Sequence, residues 1–142
     1  MTIAEVISEL QNDATIVVRD KTFELRTLET AILDTGENVY WAYGSDGMWL
    51  SIDPGSEEIM QFEDLDEELE PEDDTVVYGG DDYEFTYEGS ATLKDDETAA
   101  MYTFREFENT EGRRIRLTAD EGNSTTSVAF GSLVTEEEIQ EA

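Results

Sequence analysis

Two absences limit the chemistry open to this chain. Its 142 residues include no cysteine and no histidine. Thiol nucleophiles, thiolate zinc sites, disulfides, Ser-His-Asp triads and imidazole ligands are excluded together, because histidine is the usual base near neutral pH and the commonest transition-metal ligand. Carboxylate, tyrosine and arginine chemistry remain. Aspartate and glutamate number 37 against 8 lysines and arginines, a formal net charge of −29. With so many acids, neighbouring pairs arise by chance, and a glycosidase-type pair must face itself across a sugar-sized cleft. No spacing singles out such a pair, so no catalytic residue is assigned and a non-enzymatic role is expected.

Four smaller constellations stand out. Gly79-Gly80-Asp81-Asp82 looks like a phosphate-binding nest but lacks the lysine and strand-to-helix context of a P-loop, so it reads as a hairpin turn. Asp81-Asp82 and Asp95-Asp96 could offer oxygens to a divalent ion, yet both pairs lie in turn-like stretches where acids are ordinarily solvated; no metal or cofactor is expected. Arg113, Arg114 and Arg116 form a cationic cluster in which Arg114 and Arg116 share one strand face and Ile115 and Leu117 the other. They either neutralise acids on an outer sheet face or make a site for an anion or a partner. Trp41, Tyr43 and Trp49 are either core aromatics or an exposed patch, with Trp49 alternating against Met48, Leu50 and Ile52. Trp41, Tyr43, Trp49, Arg114 and Arg116 are therefore the candidate interaction surface, since aromatics and arginine anchor interfaces.

Strands must carry these residues. Asn38 to Asp53 reads as an aromatic hairpin: Val39, Trp41 and Tyr43 alternate, Gly44-Ser45-Asp46-Gly47 turns, and Met48, Leu50 and Ile52 alternate on the return. Before it, Thr2-Ile3-Ala4-Glu5 predicts a capped helix with Ile3, Val6, Ile7 and Leu10 on one face. Short strands follow at Thr15–Val18, Thr22–Leu25 and Thr30–Leu33. The stretch 63–74 holds nine acids in twelve residues and reads as a connector, with Leu65 and Leu69 able to pin it to the core. The pattern then restarts: Thr75–Tyr78, Tyr83–Phe85 and Ser90–Leu93 echo Thr15–Val18, Phe23–Leu25 and Thr30–Leu33 at a constant offset of 60 residues. Later echoes need small insertions. The expected fold is all-β and mainly antiparallel: two duplicated four- to five-stranded units, repeats 14–62 and 74–132, packed as a sandwich or distorted barrel. Short helices are expected at both termini, the second from Thr135-x-x-Glu138, within a single domain 1–142.

The net charge disfavours direct binding to nucleic acid or to an anionic bilayer through a basic patch. Spread over the whole chain, it suits a halophilic, carboxylate-rich surface that stays hydrated in high salt. A signal peptide and an eighteen-residue apolar run are both missing, so a cytoplasmic protein without membrane insertion is expected.

The strand-turn-strand Ile16 to Leu25, the Tyr40-Trp41-x-Tyr43 ribbon with Trp49-Leu50-Ser51-Ile52, and Tyr78-Gly79-Gly80-Asp81-Asp82-Tyr83-Glu84-Phe85 carry a family resemblance. Glu88-Gly89-Ser90-Ala91, Tyr102 to Phe107 and Val128-Ala129-Phe130-Gly131-x-Leu133-Val134 extend it over nearly the whole chain. In these motifs the chain resembles the DUF4178 family of bacterial and archaeal proteins. The resemblance implies a β-rich, non-enzymatic accessory protein of a membrane-associated or stress-response system, and it supplies no catalytic residues. A protein-interaction module with a protein partner is thus the leading expectation. The alternative is a small-ligand or cation-binding domain with its site between the two halves.

Overall fold

The computed structural model describes residues 1–45, 47–94, 101–121 and 125–142. Helix α1 (Ile3–Gln11) begins as its sequence predicts: the Thr2 hydroxyl accepts from the Glu5 N–H, and the Glu5 carboxylate accepts from the Thr2 N–H. Val6 and Leu10 form its buried stripe. A hairpin of β1 (Ile16–Val18) and β2 (Lys21–Phe23) follows, and then four strands run up and down: β3 (Thr27–Leu33), β4 (Asn38–Tyr43), β5 (Met48–Asp53) and β6 (Glu58–Leu65). Beyond an acidic strap come β7 (Thr75–Tyr78), the long β8 (Asp81–Leu93), β9 (Met101–Glu108), β10 (Arg113–Asp120) and β11 (Thr125–Val134). The chain ends with β12 (Ile139–Glu141).

Antiparallel pairing runs β3-β4-β5-β6-β11-β10-β9-β8, and three further pairs between β3 and β8, such as Ala31 with Leu93, close the ring. Of the two architectures expected, the chain adopts a closed eight-stranded barrel. This three-pair seam joins the two ends of the sheet, and eight strands enclose a lumen that side chains fill or share with one small ligand. Strand β7 extends from β8 beyond the ring through a two-residue turn, Gly79-Gly80, with both glycines at positive φ. Outside the barrel, β12-β1-β2 form a small sheet.

Alternation along the barrel strands sorts side chains between two environments. Trp41, Trp49, Met60, Phe62, Phe104 and Ala129 face inward in one cluster. On the outside of β4, β5 and β6, Ala42, Leu50, Ile52 and Ile59 are covered by Val6 and Leu10 of α1 and by Ile16, Val18, Phe23 and Ile139 of the small sheet. The opposite flank, with Phe107, Ile115 and Val128, is covered by Val76 and Tyr83, against which Leu65 and Leu69 pack. Gly131 lies across from Phe62; a Cβ there would meet the Phe62 ring at 2.7 Å and run into the Gln61 carbonyl, so the bare backbone makes room for that ring.

In the aromatic hairpin the register pairs Tyr43 with Trp49 and Trp41 with Ser51. One expectation about the fold needs correction. The acidic connector is shorter than 63–74, because Glu63 and Asp64 belong to β6 and pair with Phe130 and Ala129. At the C-terminus, the Glu138 carboxylate accepts from the Thr135 N–H and a single 3-10 turn forms over Glu136–Glu138, in line with the capped turn expected there. Pairing of Ile139 with Val18, which buries Ile139, then takes the chain into β12.

Candidate functional site

Arg116 sits inside the barrel. Strand β10 turns Arg114 and Arg116 inward, and the register with β9 sets Arg114 across from Glu108 and Arg116 across from Glu106. The Arg116 Nε and Nη2 donate to Glu106 Oε2 at 3.2 and 3.0 Å, and Nη1 donates to Ser51 Oγ at 3.4 Å. Its guanidinium carbon lies 4.7 Å from the Phe62 ring centre, 5.1 Å from Phe104 and 5.5 Å from Trp49. A cation removed from water is thus matched by one carboxylate and three aromatic faces.

The candidate surface residues are brought together, but inside rather than outside. Trp41, Trp49 and Arg116 are only 5%, 7% and 8% exposed, and Tyr43 and Arg114 are half-buried beside them. This corrects the expected interaction surface. The face of β5 opposite Leu50 and Ile52 points into the lumen, while the Leu50 face lies under α1 and the small sheet, so neither face of that strand meets solvent. Trp49 stacks on Phe62 at 4.7 Å and donates from Nε1 to Asp64 Oδ1 at 3.0 Å. Burial raises the Asp64 carboxyl above its ordinary range, and that hydrogen bond opposes the shift. Burial also raises the Tyr43 hydroxyl, helped by the negative charge of Glu29.

One end of the lumen opens into a cavity of about 450 Å³. Leu33, Val39, Trp41, Met60 and Phe104 supply its apolar wall, with Tyr87 at the rim. The polar wall carries Arg114, Arg116, Ser51 and five carboxylates: Glu37, Asp53, Glu58, Glu106 and Glu108. Arg114 Nη1 donates to Glu58 Oε2 at 3.3 Å, whereas its Nε lies 3.8 Å from Glu108 Oε2, is buried and has no hydrogen-bond acceptor. Asp53 Oδ1 accepts from the N–H groups of Gly55 and Ser56 at 3.0 and 3.3 Å, which fixes the β5–β6 turn at the rim. The Tyr87 hydroxyl is held protonated to higher pH by burial and then by the negative charges of Asp34, Glu106 and Asp53.

The remaining sequence candidates lie elsewhere. Arg113 is exposed on the outer face, 6.0 Å from the Phe130 ring centre. Asp81 and Asp82 are exposed at the start of β8, and Asp95-Asp96 falls outside the described residues. Among the described residues no group of three or more carboxylates is placed to hold a metal ion, and no helix is long and apolar enough to cross a membrane. Sequence reasoning missed Glu106 and Glu108. The signal was the turn Asn109–Gly112: folding β9 onto β10 about that turn sets both glutamates opposite the two arginines. Compared with known proteins, the chain matches no family model, no curated protein and no solved structure.

Proposed function

We propose that this chain is a non-enzymatic binding protein that holds a small molecule in the mouth of its barrel. The observation that carries this reading is the lumenal cavity, walled on one side by hydrocarbon and aromatic rings and on the other by oriented ions. Eight-stranded barrels have room for such a guest, and a mouth is where it can enter. The expected site between duplicated halves is supported by the origin of the wall. Strands β3 to β6 and their turns contribute Val39, Trp41, Asp53 and Glu58, and strands β8 to β10 contribute Tyr87, Phe104, Glu106 and Arg114. The interaction-module reading loses its five carriers, since all of them turn inward. An accessory role, as the DUF4178 resemblance implies, is compatible with ligand binding.

Titration with the neutral dye Nile red, whose fluorescence rises on entering an apolar site, tests this function. Val39→Phe projects a ring into the cavity and is expected to abolish the signal. Val77→Phe, at an exposed position on β7 outside the ring, is expected to leave it intact. Equal dye binding by both variants would remove the proposal.

A further inference from the structure

We infer that Tyr87 is a hinged cover over the barrel mouth, the residue that keeps a guest in and swings aside to release it, an inference that rests on the ligand-binding reading above. Simple alternation along β8 does not put it there. Tyr83 and Phe85 face the outer flank, and a strictly alternating strand would send Tyr87 after them. Between Phe85 and Tyr87, however, the register with β9 shifts: Phe85 pairs with Phe107, whereas Tyr87 pairs with the inward-facing Glu106. The extra residue, Thr86, donates from its hydroxyl to the Glu106 carbonyl at 3.2 Å. Bulges re-aim side chains in this way, and this one turns Tyr87 into the mouth.

Its setting is that of a cover rather than a fixed wall. The ring leans on Phe104, with 5.9 Å between centres, yet Tyr87 stays 40% exposed, so it lines the cavity on one side and meets solvent on the other. Its hydroxyl is reached by the negative charges of Asp34, Glu106 and Asp53, which come from the β3–β4 turn, β9 and the end of β5 around the opening. The phenol rests across Gly89, where a Cβ would come within 2.7 Å of the hydroxyl oxygen and 3.1 Å of the Phe104 ring. Gly89 is not at positive φ, so its backbone would accept a side chain; what the bare backbone provides is the seat for the ring. Gly89 is thus a positioning residue that acts through Tyr87. A partly exposed side chain seated by packing changes rotamer quickly, as a cover must.

Acrylamide, a small neutral quencher of tryptophan fluorescence, reads the cover without any guest, because Trp41 lies in the cavity wall. Tyr87→Ala is expected to raise quenching and to speed Nile red dissociation about fivefold, the equivalent of one lost aromatic contact. Tyr87→Phe keeps the ring and is expected to match wild type in both measurements. Gly89→Ala fills the seat without altering a cavity-lining residue, and is expected to reproduce Tyr87→Ala. In the Tyr87→Phe background the hydroxyl that the new methyl would meet is gone, so there Gly89→Ala is expected to have little effect. Unchanged quenching in Tyr87→Ala would overturn the assignment. So would an equal effect of Gly89→Ala in both backgrounds, which would trace it to Phe104. The binding reading itself stands or falls separately, on the response of the Nile red signal to Val39→Phe.

Discussion

The two faces of strands β4, β5 and β6 are both buried, yet they are built on opposite principles. Outward, Ala42, Leu50, Ile52 and Ile59 meet only hydrocarbon from α1 and the small sheet. Inward, the alternate positions of the same strands meet Arg116, Glu106 and a partly empty lumen. The outer face gains stability from sealed apolar area, about 25 cal/mol per Å² removed from water. On the inner face ions are desolvated and space is left unfilled, both of which cost stability. A binding barrel has to locate its stability away from its site, and here the N-terminal helix and the small sheet supply that place.

The largest effect that could break this comparison is the loss of one member of the lumenal ion pair. Arg116→Ala leaves Glu106 buried and unmatched and strips three rings of their cation; a loss of about 3–5 kcal/mol in urea-unfolding stability is expected. On the capped face, Leu50→Ala empties a fully buried site, with an expected cost of about 3 kcal/mol. It should leave Nile red binding to the folded protein unchanged, because Leu50 faces away from the lumen. Dye binding lost together with stability would show that the two faces are not separable.

Removing both ions together sharpens the contrast. Arg116→Met with Glu106→Leu replaces the pair by hydrocarbon of similar volume, and such exchanges are often neutral or stabilising. The double variant is expected within about 1 kcal/mol of wild type by the same denaturant measurement. A deficit as large as that of Arg116→Ala would mean that the ion pair stabilises the fold in its own right.

How much of this was legible in the sequence follows from the same two faces. The hairpins, the capped helix and the antiparallel β character are local, and period-two alternation with turn residues such as Gly79-Gly80 reports them directly. Alternation also separated Trp49 from Leu50, and Arg114 and Arg116 from Ile115 and Leu117. It could not say which side was the inside. A strand buried on both faces looks half-exposed as soon as one face carries arginine or serine, so Arg116 read as a surface residue. Closure of the ring depends on pairing β3 with β8 and β6 with β11, contacts far apart in sequence that leave no local trace. The acids of the cavity were hidden for a simpler reason: they were a few among 37.

The smallest expected effect is a pair of opposite pH responses, one from each region. Glu138 lies on the capped side, where hydrogen bonds from Thr135 and Arg19 hold its carboxyl below the usual 4.5. Its folded value is depressed, so its stabilising contribution is complete above pH 4.5 and is lost as pH falls through the lower folded value. Asp64 lies on β6 at Trp49, and burial raises its carboxyl above 3.8. Its folded state binds the proton more readily, so its contribution is complete below pH 3.8 and is lost as pH rises through the raised folded value. In acid titrations of unfolding stability at fixed ionic strength, the advantage of wild type over Glu138→Gln should therefore shrink as pH falls. Relative to Asp64→Asn, which keeps an acceptor for the Trp49 N–H, wild type should instead gain as pH falls. Opposite slopes would place a stabilised charge on the capped side and a desolvated one on the lumenal side, whereas slopes of the same sign would show that the general field of an acidic protein, not the face a carboxylate occupies, sets its behaviour.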